Sequence, residues 1–74
     1  MEFNAWIDKQ GGTEAAAEVL GEKPRAVASW YYGERAPGLK AAANIVRKSE
    51  HAVDFNGIYW PLAKKLFGLE KPSK

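Results

Sequence analysis

Glycine limits what this chain can become. Gly11-Gly12, Gly21, Gly33, Gly38 and Gly68 each end or separate a stretch whose apolar residues recur at helical spacing. A chain cut in this way can form several short helices. It cannot form one long helix. With 74 residues there is material for a single domain, because smaller pieces would be unable to bury a core.

The pieces read as follows. Residues 2–10 form a first helix, with Phe3, Trp6, Ile7 and Gln10 on one side, ended by Gly11-Gly12. Thr13 is the expected N-cap of a second helix, and Glu14 in its first turn complements the helix dipole. That helix runs through Ala16, Ala17, Val19 and Leu20 and stops at Gly21. A third begins near Pro24, whose missing N–H would be unpaired at a helix start anyway, and runs to Tyr32 before Gly33. Pro37-Gly38 breaks the chain ahead of a fourth helix, Leu39–Lys48, with Ala42, Ile45 and Val46 on its inner face. Residues 49–57 look irregular, and HAVDF at 51–55 is compatible with a short extended segment. A last helix is expected to start at about Tyr59–Pro61, with Leu62, Leu66 and Phe67 inward and Gly68 as its stop. Residues 69–74 read as a frayed tail. The expected fold is all-α: a four- to five-helix bundle in one domain over 1–68.

Composition narrows the function. Of the hydrophobic residues, 12 are Ala and only 19 are larger apolar residues other than Tyr. A core this thin rarely supplies more than about 3–5 kcal/mol, so burial against a second copy would help. The absence of cysteine excludes a disulfide framework, a thiolate zinc site and a cysteine nucleophile, and it fits a reducing cytoplasm. His51 is the only histidine, which leaves no second imidazole to share a metal, and it reads as a loop or cap residue. Glu50 and Asp54 lie near it, but no nucleophile motif or glycine-rich phosphate loop accompanies them. Apolar runs such as Ala26–Ala28 are far too short to cross a bilayer. The first ten residues carry acids and no apolar h-region, so no signal peptide is expected. The expectation is a small cytoplasmic binding module, not an enzyme.

The net charge of +2 hides an uneven distribution. Residues 1–22 carry five acids and Lys9, a net of −4. Residues 23–48 carry six bases and Glu34, a net of +5, and residues 49–74 a net of +1. A basic middle behind an acidic front hints at a nucleic-acid surface, although solvated helix faces show such blocks too.

The most informative stretch is TEAAAEVLGEKPRAVASW, residues 13–30. Ala17 is small where two steeply crossing helices need close approach. Gly21 can take a positive φ and let the chain reverse sharply. Val27, Leu20 and Trp30 would fill the wedge between the helices. Two helices at a steep angle joined by a few residues make a helix-turn-helix.

Here the chain resembles the Cro/cI-type helix-turn-helix of phage repressors, the lambda repressor-like DNA-binding domains. The resemblance covers Thr13–Lys48, about half the chain. It rests on A-x-x-L-G at Ala17–Gly21, on Val27, and on W-x-x-G-x-R-x-P at Trp30, Gly33, Arg35 and Pro37. It implies a transcriptional regulator that binds double-stranded DNA at a palindromic operator, with its third helix in the major groove. Carried over residue by residue, the base-reading face is Lys23, Arg25, Ala28 and Ser29, with Pro24 and Tyr32 on the same side. Arg25 would donate two parallel bonds to guanine, and Ala28 would meet a thymine methyl. Thr13, Lys23, Tyr32, Arg35 and Lys40 would hold phosphates. The helix-turn-helix core would be Ala17, Leu20, Gly21, Val27 and Trp30. No cofactor, metal or small-molecule substrate is implied. The chain departs from the family's pattern at Glu22, where an apolar residue is usual, at Lys23, where Ser or Thr usually caps, and at Pro24, where a base-reading Gln often stands. Direct readout is thereby thinned, and DNA shape would carry more of it.

The C-terminal stretch is too apolar for a free tail. Phe55, Ile58, Tyr59 and Trp60 form the candidate surface of a homodimer, the alternative being that a monomeric core absorbs them. A second function class stays open: a protein-interaction module, such as the antitoxin of a toxin–antitoxin pair, or a phage excision factor. The acidic front, Glu22 and Pro24 motivate it.

Overall fold

The computed structural model describes residues 1–69, so the expected tail lies outside the described residues apart from Leu69. Five α-helices follow one another: α1 (Phe3–Gln10), α2 (Thr13–Leu20), α3 (Pro24–Tyr31), α4 (Leu39–Lys48) and α5 (Phe55–Phe67). No strand occurs among the described residues, and the fold is an all-α bundle. Helix α2 sits at its centre, packed most extensively on α3 and also against α1 and α4, while α5 docks on α4.

The boundaries follow from local chemistry. Gly11 closes α1 in the left-handed region, and the N–H groups of Gly11 and Gly12 return to the carbonyls of Asp8 and Ile7, both at 3.1 Å. Helix α2 begins one residue earlier than a Thr13 N-cap would have it. Gly12 is the cap, and the Thr13 side chain makes no cap bond. Pro24 opens α3 behind an extended Lys23, as expected of a residue with no N–H to lose.

The α4–α5 connection departs furthest from expectation. Residues 51–53 form turn and bend, and α5 already starts at Phe55, so the proposed extended segment at 51–55 does not exist. Asp54 is the reason. Its carboxylate accepts from the Gly57 N–H at 2.7 Å and caps the helix four residues before the expected start. Pro61 therefore lies inside α5, where it costs a backbone hydrogen bond. Burial of Gly57, Ile58 and Leu62 offsets that cost. The turn before α5 places two non-glycine residues, Glu50 (φ 55°) and His51 (φ 66°), in the left-handed region.

The core joins all five helices. Phe3, Trp6, Ile7, Ala16, Ala17, Leu20, Val27, Trp30, Ala42, Ile45, Val53 and Ile58 form one buried cluster. Phe3 stacks on Trp6 with ring centroids 6.2 Å apart and meets Trp30 at 6.3 Å. Ile58 is 1% exposed, so it belongs to this core and not to a dimer surface. The earlier start of α5 explains the change: Ile58 and Leu62, four residues apart, face inward together. Leu66 and Phe67 were expected inward, but the rest of the bundle does not cover that end of α5, and they are 40% and 75% exposed. No helix among the described residues is long and apolar enough to cross a membrane.

Candidate nucleic-acid interface

Helices α2 and α3 meet through small and wedge-shaped side chains. Ala17, Leu20, Val27 and Trp30 are all buried between and beneath them. Gly21 sits at φ 70° at the end of α2, a conformation costly for any residue with a Cβ, and open space surrounds it. Its role is therefore the backbone turn and not packing. The reversal is pinned by the Glu22 N–H on the Ala17 carbonyl at 3.0 Å and by the Val27 N–H on the Lys23 carbonyl at 3.1 Å.

A second tether comes from α4. Asn44 Nδ2 donates to the Leu20 carbonyl at 2.8 Å, satisfying an acceptor at the end of α2. Arg47 in turn donates to Asn44 Oδ1 at 3.4 Å. The sequence reading passed over Asn44. Its signal was present: an asparagine inside an otherwise good helix former's run favours side-chain-to-backbone bonding.

The exposed side of α3 gathers four of the eight expected DNA-contacting residues. Lys23, Arg25, Ala26, Ser29 and Arg35 line one surface depression of about 210 Å³. Lys23, Arg25 and Arg35 are exposed, and Ser29 is half-buried. Arg35 reaches this side because the chain folds back after α3. The N–H groups of Glu34 and Arg35 both bond to the Ser29 carbonyl, at 2.9 and 3.4 Å. Three cations with one hydroxyl, and no acid among the lining residues, make a surface suited to phosphates and base acceptors.

The other expected contacts stand apart from this depression. Lys40 lines a separate one of about 370 Å³ with Glu22, Ala41, Asn44 and Arg47. Thr13 is half-buried in the first turn of α2, and Ala28 is half-buried on α3. Tyr32 is 61% exposed just past the end of α3. Its ring stands edge-on to Tyr31, centroids 5.1 Å apart and planes at 86°. Tyr31 is tied to α1 at two points. Its hydroxyl donates to Asp8 Oδ1 at 2.8 Å, and its carbonyl accepts from Asn4 Nδ2 at 2.9 Å. The Asp8 carboxylate, which accepts that hydrogen bond and repels a phenolate, raises the Tyr31 hydroxyl above the ordinary tyrosine range.

Of the expected dimer surface, Phe55 is 44% exposed. Tyr59 and Trp60 are half-buried, and the Tyr59 hydroxyl donates to the Pro37 carbonyl at 2.7 Å. Tyr59 thus fastens α5 to the loop before α4. No cluster of three metal-ligating side chains occurs among the described residues. No family model matches this chain, and no curated protein or solved structure matches it either.

Proposed function

We propose that this chain is a sequence-specific double-stranded DNA-binding regulator of the Cro type, acting by occupying an operator with α3 in the major groove. One observation carries the reading: Lys23, Arg25, Ser29 and Arg35 line a single depression on the exposed side of α3. In this reading Arg25 reads guanine, Ser29 and Ala28 make shorter-range base contacts, and Lys23, Arg35, Lys40 and Thr13 position phosphates. Two copies would place two α3 helices about 34 Å apart on a palindromic site. The exposed Phe55, Leu66 and Phe67 support such pairing.

Selection of bound duplexes from a random pool, followed by titration at several salt concentrations, tests this. The expected result is a palindromic motif whose affinity falls with salt, with a log–log slope of about −0.9 per phosphate contacted. A chain that enriches no duplex at low salt is not a DNA-binding regulator. In that case the same exposed apolar residues of α5 favour the second reading, a protein-interaction module such as an antitoxin.

A further inference from the structure

We infer that the Tyr32 ring is a base-reading group, packing against a thymine methyl in the major groove, and that Tyr31 is the residue that positions it. This rests on the duplex-DNA reading above and names part of the sequence that such a duplex must contain.

Tyr32 lies just beyond α3, yet its N–H still donates to the Ala28 carbonyl at 2.9 Å. Its Cα therefore continues the helical spiral. Seven residues separate it from Arg25, which is two helical turns, so the two share one face. The rise between them is about 10 Å, or roughly three base-pair steps of 3.4 Å. If Arg25 meets one base pair, Tyr32 meets another about three steps along the groove.

The ring also rests against a neighbour that is itself fixed. Tyr31 is anchored at its carbonyl by Asn4 and at its hydroxyl by Asp8, and it supports the Tyr32 ring edge-on. A buttressed ring loses little rotamer freedom on binding, which favours its use as a shape-reading apolar contact. Lys23, Arg25 and Arg35 already bring positive charge to the α3 side, so the phosphates do not require the Tyr32 hydroxyl. Its exposed aromatic face suits the one apolar group of the major-groove edge, the thymine methyl.

The test uses the full chain and the duplex it selects from the random pool. Each thymine is replaced in turn by uracil, which pairs identically and lacks the methyl. At one position, about three base pairs from a guanine needed by Arg25, uracil lowers wild-type affinity about four-fold, the equivalent of ~0.8 kcal/mol for one buried methylene-sized group. Tyr32→Ala abolishes the thymine–uracil difference without moving the thermal midpoint. Tyr32→Phe preserves the difference. Tyr31→Phe, which keeps the ring but cannot bond Asp8, reduces the difference while leaving non-specific affinity unchanged. Uracil neutral at every position overturns the inference and leaves the DNA reading standing. So does a Tyr32→Phe variant as impaired as Tyr32→Ala, since the hydroxyl and not the ring would then make the contact. If no duplex is enriched, the DNA reading fails, and this inference fails with it.

Discussion

The α2–α3 pair and the C-terminal half of α5 use their apolar residues in opposite ways. In α2–α3 the large apolar side chains Leu20, Val27 and Trp30 are buried, Val19 is 44% exposed, and the exposed side carries Lys23, Arg25 and Arg35. In α5 the inward residues Ile58 and Leu62 are followed by Leu66 and Phe67, which are 40% and 75% exposed. Both belong to one bundle. The difference is that α2 is enclosed by three neighbours, whereas α5 packs on α4 and leaves Leu66 and Phe67 exposed in its last turn. A buried core and an exposed apolar end can be served by one helix, provided one end is packed and the other is left free.

Five substitutions would break or sharpen this contrast. The largest effect is expected at the wedge. Trp30→Ala should cost about 3–5 kcal/mol, enough to leave a domain of this size largely unfolded, read by thermal or urea denaturation. A folded Trp30→Ala protein of near-normal stability would show that the α2–α3 wedge is not the keystone of the core. Next comes the exposed side of the same pair. Arg25→Ala should lose about 1–3 kcal/mol of discrimination between selected and random duplexes, with stability unchanged, whereas Lys40→Ala should weaken all duplexes alike. Equal behaviour of the two in a binding titration would erase the division between base and phosphate contacts. Asn44→Ala removes the tether to the Leu20 carbonyl and should cost about 1 kcal/mol of stability. An unchanged urea midpoint would mean that α4 does not brace the turn. The smallest effect on the monomer belongs to α5. Phe67→Ser should change unfolding free energy by less than about 0.5 kcal/mol, yet weaken self-association measured by sedimentation. A large loss of monomer stability would show that Phe67 is covered after all.

How much of this was legible beforehand follows the same division. In the first four helices, glycine and proline act through the backbone alone, so Gly11, Gly21 and Pro24 mark boundaries that hold in the structure. The miss at Thr13 is small, because Gly12 and Thr13 are adjacent and either can cap. At α5 two local signals competed. Pro61 favours a helix start, and Asp54 favours an earlier one. Tertiary burial of Ile58 beside Val53 and Ile45 decided for Asp54, and no local pattern reports that burial. The expected α3 face follows from the resemblance, whereas the fold-back that brings Arg35 to Ser29 depends on two backbone bonds. Asn4 and Asp8 were invisible as partners of Tyr31 because more than twenty residues separate them from it.

The shortness of the first three helices has a thermodynamic consequence. Each has 8 residues, well below the roughly 12–15 at which an isolated helix persists in water. The α3 segment cut out as a peptide would therefore present no ordered face, and its order in the intact chain is supplied by the rest of the bundle. In the proposed DNA reading, folding and recognition share one equilibrium. A duplex present at a hundred times its dissociation constant would add about 2.7 kcal/mol to folding, a large fraction of the roughly 3–5 kcal/mol a core of this size supplies. In that linkage the bound molecules resist unfolding and proteolysis far better than the free ones, so the pool of binding sites would set how much of the chain survives.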